Sequence, residues 1–126
     1  MVATTEDKKL SIPENIEQIE AMMLNLPQAD CPVSHFFGPG IYIRQLTMLA
    51  GTTAIGHYQK KEHMNVMLKG KVAMIDGDQV KVLTAPQIFV GKPGRKIGHI
   101  MEDCVWQNIY ATEETDVDKL EEMFLD

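Results

Sequence analysis

The chain has 126 residues, enough for one domain and too few for two ordinary ones. A hydrophobic share of 44% with 24% charged residues argues against general disorder, and no apolar run nears the roughly 20 residues of a membrane span. Twelve basic against eighteen acidic residues give a net charge of −6, which argues against a nucleic-acid groove because phosphate neutralisation needs a basic surface. Only Cys31 and Cys104 are present, so a disulfide scaffold is out and two reduced thiols in a cytosolic protein are expected.

In chain order, residues 1–10 read as a flexible polar arm, with no signal peptide in Met1–Ser11. Ser11-Ile12-Pro13-Glu14 is a helix start, with proline suited to the first turn. Ile16, Ile19, Met23 and Leu26 recur at helical spacing up to Pro27, which predicts an amphipathic helix over 13–26. From 33 to 111, short β-rich runs alternate with Gly and Pro breaks. The expected strands are 33–37, 41–48, 53–58, 63–69, 71–75, 79–84, 87–91, 96–101 and 104–111. Asp76-Gly77 between two apolar runs is a hairpin signal, and strands at this spacing predict a sandwich or barrel. The tail returns to helix over 115–124: Thr115 and Asp116 offer a cap, and Val117, Leu120 and Phe124 form a docking stripe. Its acidic outer side reads as a solvated face.

The chemistry gathers in Gly51–Gly70. His57 and Gln59 lie two apart in an expected strand and so share a face. His63 opens the next run after the polar turn Lys60-Lys61-Glu62. If the chain folds back there, two imidazoles and an amide converge on one cavity. Such donors suit Zn, Fe, Mn, Ni or Cu(II). Arg44 in an apolar strand either pairs with a buried acid, binds a ligand anion, or faces outward. Trp106 reads as core or a ring wall, His35 as structural and Cys104 as a buried inert thiol.

Gly51, His57, Gln59, His63 and Gly70 stand at the spacings of the first cupin motif, in which the family carries Gly, His, His, Glu and Gly. The stretch therefore resembles a cupin, with Gln59 in place of the second histidine and His63 in place of the glutamate. Lys92-Pro93-Gly94 resembles the turn of the second motif. Ile97 falls near the family's last histidine, and His99, two residues on, is the candidate displaced third ligand. The chain also resembles small cupin-like proteins of tailed-phage genomes in Ile16–Glu20, Gly40–Arg44, Lys60–His63, Lys92–Gly94, Glu102–Trp106 and Thr112–Asp116. Some of these carry histidine where Tyr110 stands, so the resemblance implies that Tyr110 faces the cavity.

The resemblance implies an all-β double-stranded β-helix, the cupin jelly roll, over 33–111 within a single domain 1–126, with one N-terminal and one C-terminal helix. Its interior site would take one divalent transition metal (Zn, Fe, Mn or Ni) at His57, His63 and His99. A small-molecule ligand would meet Gln59, Tyr110, Tyr42 and Arg44. Three functions compete: a small-molecule-binding carrier, sensor or sequestering protein; a metal-dependent dioxygenase, isomerase or hydrolase on a small polar substrate; and a structural homo-oligomer with a vestigial pocket. Whether it is an enzyme stays open. A homodimer is expected from the broad apolar set Ile16, Ile19, Met22, Met23 and Leu26 and from Met123–Leu125. The expected location is the cytoplasm, that of the host if phage-encoded, with neither nucleic acid nor membrane as partner.

Overall fold

The computed structural model describes residues 2–4, 31–76 and 79–126. Eight strands precede one helix: β1 (Val2–Thr4), β2 (Val33–Gly38), β3 (Ile41–Met48), β4 (Thr52–Ile55), β5 (His63–Asp76), β6 (Gln79–Thr84), β7 (Gln87–Gly91), β8 (Ile97–Ala111) and α1 (Val117–Phe124). The helix expected over 13–26 lies outside the described residues. Val2–Thr4, read from sequence as part of a flexible arm, instead pairs with the free edge of β4.

All pairings are antiparallel, and two long strands organise them. β8 carries β3 along its second half and β4 at its start. β5 runs beside β8 for most of its length and carries β7 and then β6 on its other edge. Each long strand was expected as two short ones, 63–69 with 71–75 and 96–101 with 104–111. Gly70 does not end β5. It takes φ +105°, and the β5–β8 register slips between Met67 and Val72. A bulge of this kind bends a strand without breaking it, so one strand passes from one wall of the roll to the other. No side chain fits there, because a Cβ on Gly70 would lie 2.6 Å from the Asp103 carbonyl. Asp76 pairs with Gln79, so β5 and β6 form the expected two-residue hairpin.

Alternation sends one face inward. Across β3, β8 and β5 the inner rows run Tyr42–Tyr110, Arg44–Asn108–Asn65 and Leu46–Trp106–Met67, with Met48 opposite Cys104. Met48, Met67, Val72, Ile100, Cys104 and Trp106 make the main core. At one end a second cluster joins Tyr42 and Tyr110 to Leu120, Phe124 and Leu125. Helix α1 supplies that end as expected, two residues shorter than read from sequence. Asp116 caps it, its carboxylate accepting from the Asp118 and Lys119 amides at 3.0 and 3.3 Å. The buried Leu120 and Phe124 are the docking stripe.

Candidate functional site

A cavity of about 90 Å³ opens between the two walls. Leu46, Met48, Ala54, Val72, Met74, Ile100 and Trp106 form its apolar lining, and His57, Gln59, His63, Asn65, Lys96 and Asn108 its polar one. Among the described residues no carboxylate lines it, although the chain as a whole is acidic.

His57, Gln59 and His63 converge as the motif spacing implied, but not by the expected route. β4 stops at Ile55, so His57 and Gln59 do not share a strand. Gln59 is held instead in isolated bridges to Gly94 and Leu125. Its amide donates to the Gly94 carbonyl at 2.8 Å, while Tyr58 and Lys60 bond to Asp126 and Phe124. The 58–60 segment is thus pinned between the Lys-Pro-Gly turn and the chain end. His57 stands exposed at the lip. Partial burial, and then the Arg44 charge, hold its pKa below the ordinary value.

His63 is buried. Its Nδ1 lies 3.0 Å from the Lys61 carbonyl, an acceptor only. Nδ1 therefore carries the hydrogen of the neutral ring, and Nε2 presents its lone pair. Burial lowers the His63 pKa, with the bond to the Lys61 carbonyl opposing, which favours the neutral ring. Trp106 Nε1 donates to Asn65 Oδ1 at 3.0 Å. Indole can only donate, which turns the Asn65 amide nitrogen the other way. His63 Nε2 and Asn65 Nδ2 both lie over Gly91, where a Cβ would strike them. Both atoms are buried without a hydrogen-bond partner, as is Arg44 Nε.

Tyr110 does reach the site. It donates to Gln59 Oε1 at 2.7 Å, and burial pushes its pKa up to about 12. Its ring stacks on Phe124 at 4.5 Å and lies 5.6 Å from His63. Tyr42 does not line the cavity. It is buried behind Tyr110, with its hydroxyl 2.7 Å from His35 Nδ1, which also makes His35 structural as expected. Arg44 points inward rather than outward and is 8% exposed.

His99 has to be corrected. It lies two residues beyond the buried Ile97, but His99 itself is exposed and lies outside the cavity. Gly98 and Ile100 line the cavity, so alternation turns His99 to solvent, where its Nδ1 sits 3.3 Å from the Thr53 hydroxyl. Among the described residues no three His, Cys, Asp or Glu side chains converge. Two histidines remain, and the Gln59 oxygen between them already accepts from Tyr110. This donor set does not fit the three-ligand metal site that the resemblance implied. Lys96 was not foreseen. It lines the cavity, its Nζ lies 5.7 Å from the centre of the Phe89 ring, and burial lowers its pKa. Its position just before β8 was the available signal.

Solved structures share this architecture. A protein from Neisseria meningitidis, NMB1881, aligns at 12% identity over 78% of this chain and 97% of its own, with a TM-score of 0.54. An RmlC-like cupin with a double-stranded β-helix fold from Methanocaldococcus jannaschii aligns at 12% identity over 73% and 86%, with a TM-score of 0.53. A cupin-2 domain protein from Shewanella frigidimarina aligns at 12% identity over 78% and 95%, with a TM-score of 0.50. No family model and no curated protein matches the sequence. The chain has the cupin jelly-roll fold, and at these identities the likeness extends to fold alone. No helix among the described residues is long and apolar enough to cross a membrane.

Proposed function

We propose that this chain is a small-molecule-binding cupin that works as a carrier, sensor or sequestering protein rather than as a metal enzyme. The observation that carries the reading is the cavity itself, an apolar chamber lined by His63 and Asn65, whose Nε2 and Nδ2 are buried without a hydrogen-bond partner, with the equally unpartnered Arg44 Nε beside it. Leaving a buried polar group unpaired costs about 1–3 kcal/mol. A vestigial pocket gains nothing from keeping three, whereas a ligand satisfies them. The metal-enzyme reading is weaker because His99 is absent from the cavity and Gln59 Oε1 is engaged by Tyr110.

Native mass spectrometry and elemental analysis of the freshly purified protein test this. A stoichiometric organic adduct without metal is expected. A stoichiometric transition metal lost on His57→Ala or His63→Ala would favour the enzyme, and no adduct together with no hit in a small-molecule screen would favour the vestigial pocket.

A second reading, self-association, has its own observation. On the outer face an apolar row crosses five strands, Phe36–Ile43–Ile109–Met64–Val90, and Ile88, beside it, is 71% exposed. A contiguous apolar face of this kind marks an interaction surface, and a second copy meets it symmetrically. Light scattering at micromolar concentration should give a dimer mass for the native chain and a monomer mass for the Met64→Lys, Val90→Lys variant. A native monomer would refute the dimer.

A further inference from the structure

Arg44 carries the strongest unexplained feature of the molecule. Its side chain is more than nine-tenths buried. Its Nε has no hydrogen-bond partner, and among the described residues no ion pair or hydrogen bond of its guanidinium is found. Burying a guanidinium N–H without an acceptor costs free energy that the fold recovers only if something else supplies one. A protein of 18 acidic residues has many ways to place a carboxylate there. Among the described residues, the acid whose field reaches His57 and Tyr42 is Glu121. Glu121 is exposed on α1 and makes no pair with Arg44.

Arg44 stands beside the cavity rather than among its lining residues, and its charge acts on His57, which does line it. Arg44's neighbour on the same face of β3, Leu46, lines the cavity. Its partner across the ladder is Asn108, whose own partner is Asn65, and both line the cavity. Asn65 Nδ2 is a second buried donor without an acceptor, oriented by Trp106. Lys96 and His57 add positive or donor character, and among the described residues no acid lines the wall. Beyond this polar side lie Leu46, Met48, Val72, Met74 and Ile100. We infer that the cavity is a site for a small monocarboxylate with a short apolar tail, its carboxylate held by Arg44 and the Asn65 amide and its tail lodged against the methionines. This rests on the small-molecule reading above and narrows it to one chemical class. The volume limits the ligand to on the order of ten non-hydrogen atoms. A carboxylate is the chemical complement of the orphaned groups, since it offers acceptors only and a guanidinium and an amide nitrogen offer donors only.

Calorimetric titration with butyrate, and with butyramide as its neutral isostere, tests the inference at constant ionic strength. Thermal melts of the ligand-free proteins accompany it. Butyrate should bind the native chain, and butyramide should bind about tenfold more weakly or worse. Arg44→Met should abolish the preference for butyrate. The same variant should raise the melting temperature of the ligand-free protein, because a buried N–H without an acceptor gives way to an apolar side chain of similar volume; the rise also shows that lost binding is not lost folding. Arg44→Lys, which keeps the charge without the fork, should retain part of the preference. Equal binding of butyrate and butyramide, unchanged in Arg44→Met, would overturn the carboxylate assignment and leave the small-molecule reading standing. Binding of neither, in a protein that carries an organic adduct when purified, would overturn the assignment in the same way. Binding of neither with no adduct would overturn both.

Discussion

The two ends of the barrel interior are built differently. Around Trp106 the core is aliphatic and sulfur-rich: Met48, Met67, Val72, Ile100 and Cys104 fill the space between β3, β5 and β8. At the other end the core is a stack of rings. Tyr42, Tyr110 and Phe124 lie nearly parallel at 5.7 and 4.5 Å, with Leu120 and Leu125 closing over them. Among the described residues the first end is made mostly by strands, with Cys31 and Ala85 from the connections packed against it. The second is completed by the last residues of the chain, which hydrogen-bond to the 58–60 segment. Between the two lie Arg44, Asn108, Asn65, Gln59 and His63, five of the six buried polar residues among those described. Function needs an unfilled volume with unsatisfied donors, and such a volume survives only when well-packed material on both sides fixes its shape.

Substitutions at the two ends should separate them. Phe124→Ala removes the outer ring of the stack and should cost about 3–5 kcal/mol of unfolding free energy in a denaturant titration. Met67→Ala, at 0% exposure in the strand-built core, should cost about 2–5 kcal/mol. They should differ in the site. Phe124→Ala loosens the tail that positions Gln59 and should weaken ligand binding, whereas Met67→Ala should leave the affinity near native.

Trp106→Phe keeps the ring wall but takes away the indole donor. Asn65 Oδ1 is then buried without a partner, at a cost of about 1–3 kcal/mol. The freed amide can rotate, so butyrate binding should fall as well. Tyr110→Phe is smaller. It leaves Gln59 Oε1 without its donor and should cost about 1–2 kcal/mol while keeping the stack. Melts of these variants check both.

The smallest effects are in pH. His63 and His57 have folded pKa values below their ordinary 6.5, so the unfolded chain binds protons that the folded one refuses. Their contribution is complete above pH 6.5 and declines as pH falls below it, through the lowered folded values. His63→Gln should flatten that decline, leaving the part due to the more exposed His57. Tyr110 acts at the alkaline end. Its ordinary value of 10.0 is pushed up to about 12, so its contribution holds below pH 10 and is lost as pH rises above it. Tyr110→Phe should remove this alkaline loss. Chemical denaturation across pH 5 to 11 reads both limbs.

Much of this organisation was legible in the residues, and where it was not the reason is physical. Alternation and turn residues mark β2, β3, β6 and β7 to within a residue. Gly70 looked like a strand end because glycine at positive φ serves both turns and bulges, and only the continuing partner β8 decides between them. The Gly51–Gly70 spacing brought His57, Gln59 and His63 to one cavity although β4 ends at Ile55, because the Gly94 turn and the tail hold Gln59 through backbone bonds that no side-chain pattern reveals. His99 failed on phase. Two residues along a strand preserve the face but do not say which face it is, and Gly98 is the residue that looks inward. Arg44 was one of several open alternatives in sequence, since a lone arginine among apolar residues reads equally as inward or outward. Lys96 left no pattern beyond its place at the start of β8.

The central claim is that the interior cavity receives a small monocarboxylate, and the methionines report on it directly. Met48 and Met74 line the cavity, while Met64, Met101 and Met123 are exposed elsewhere. In methyl NMR of methionine-labelled protein titrated with butyrate, the Met48 and Met74 signals should shift and saturate together, with Met64, Met101 and Met123 unmoved. Shifts confined to the exposed methyls, or no saturable shift at Met48 and Met74, would contradict the account.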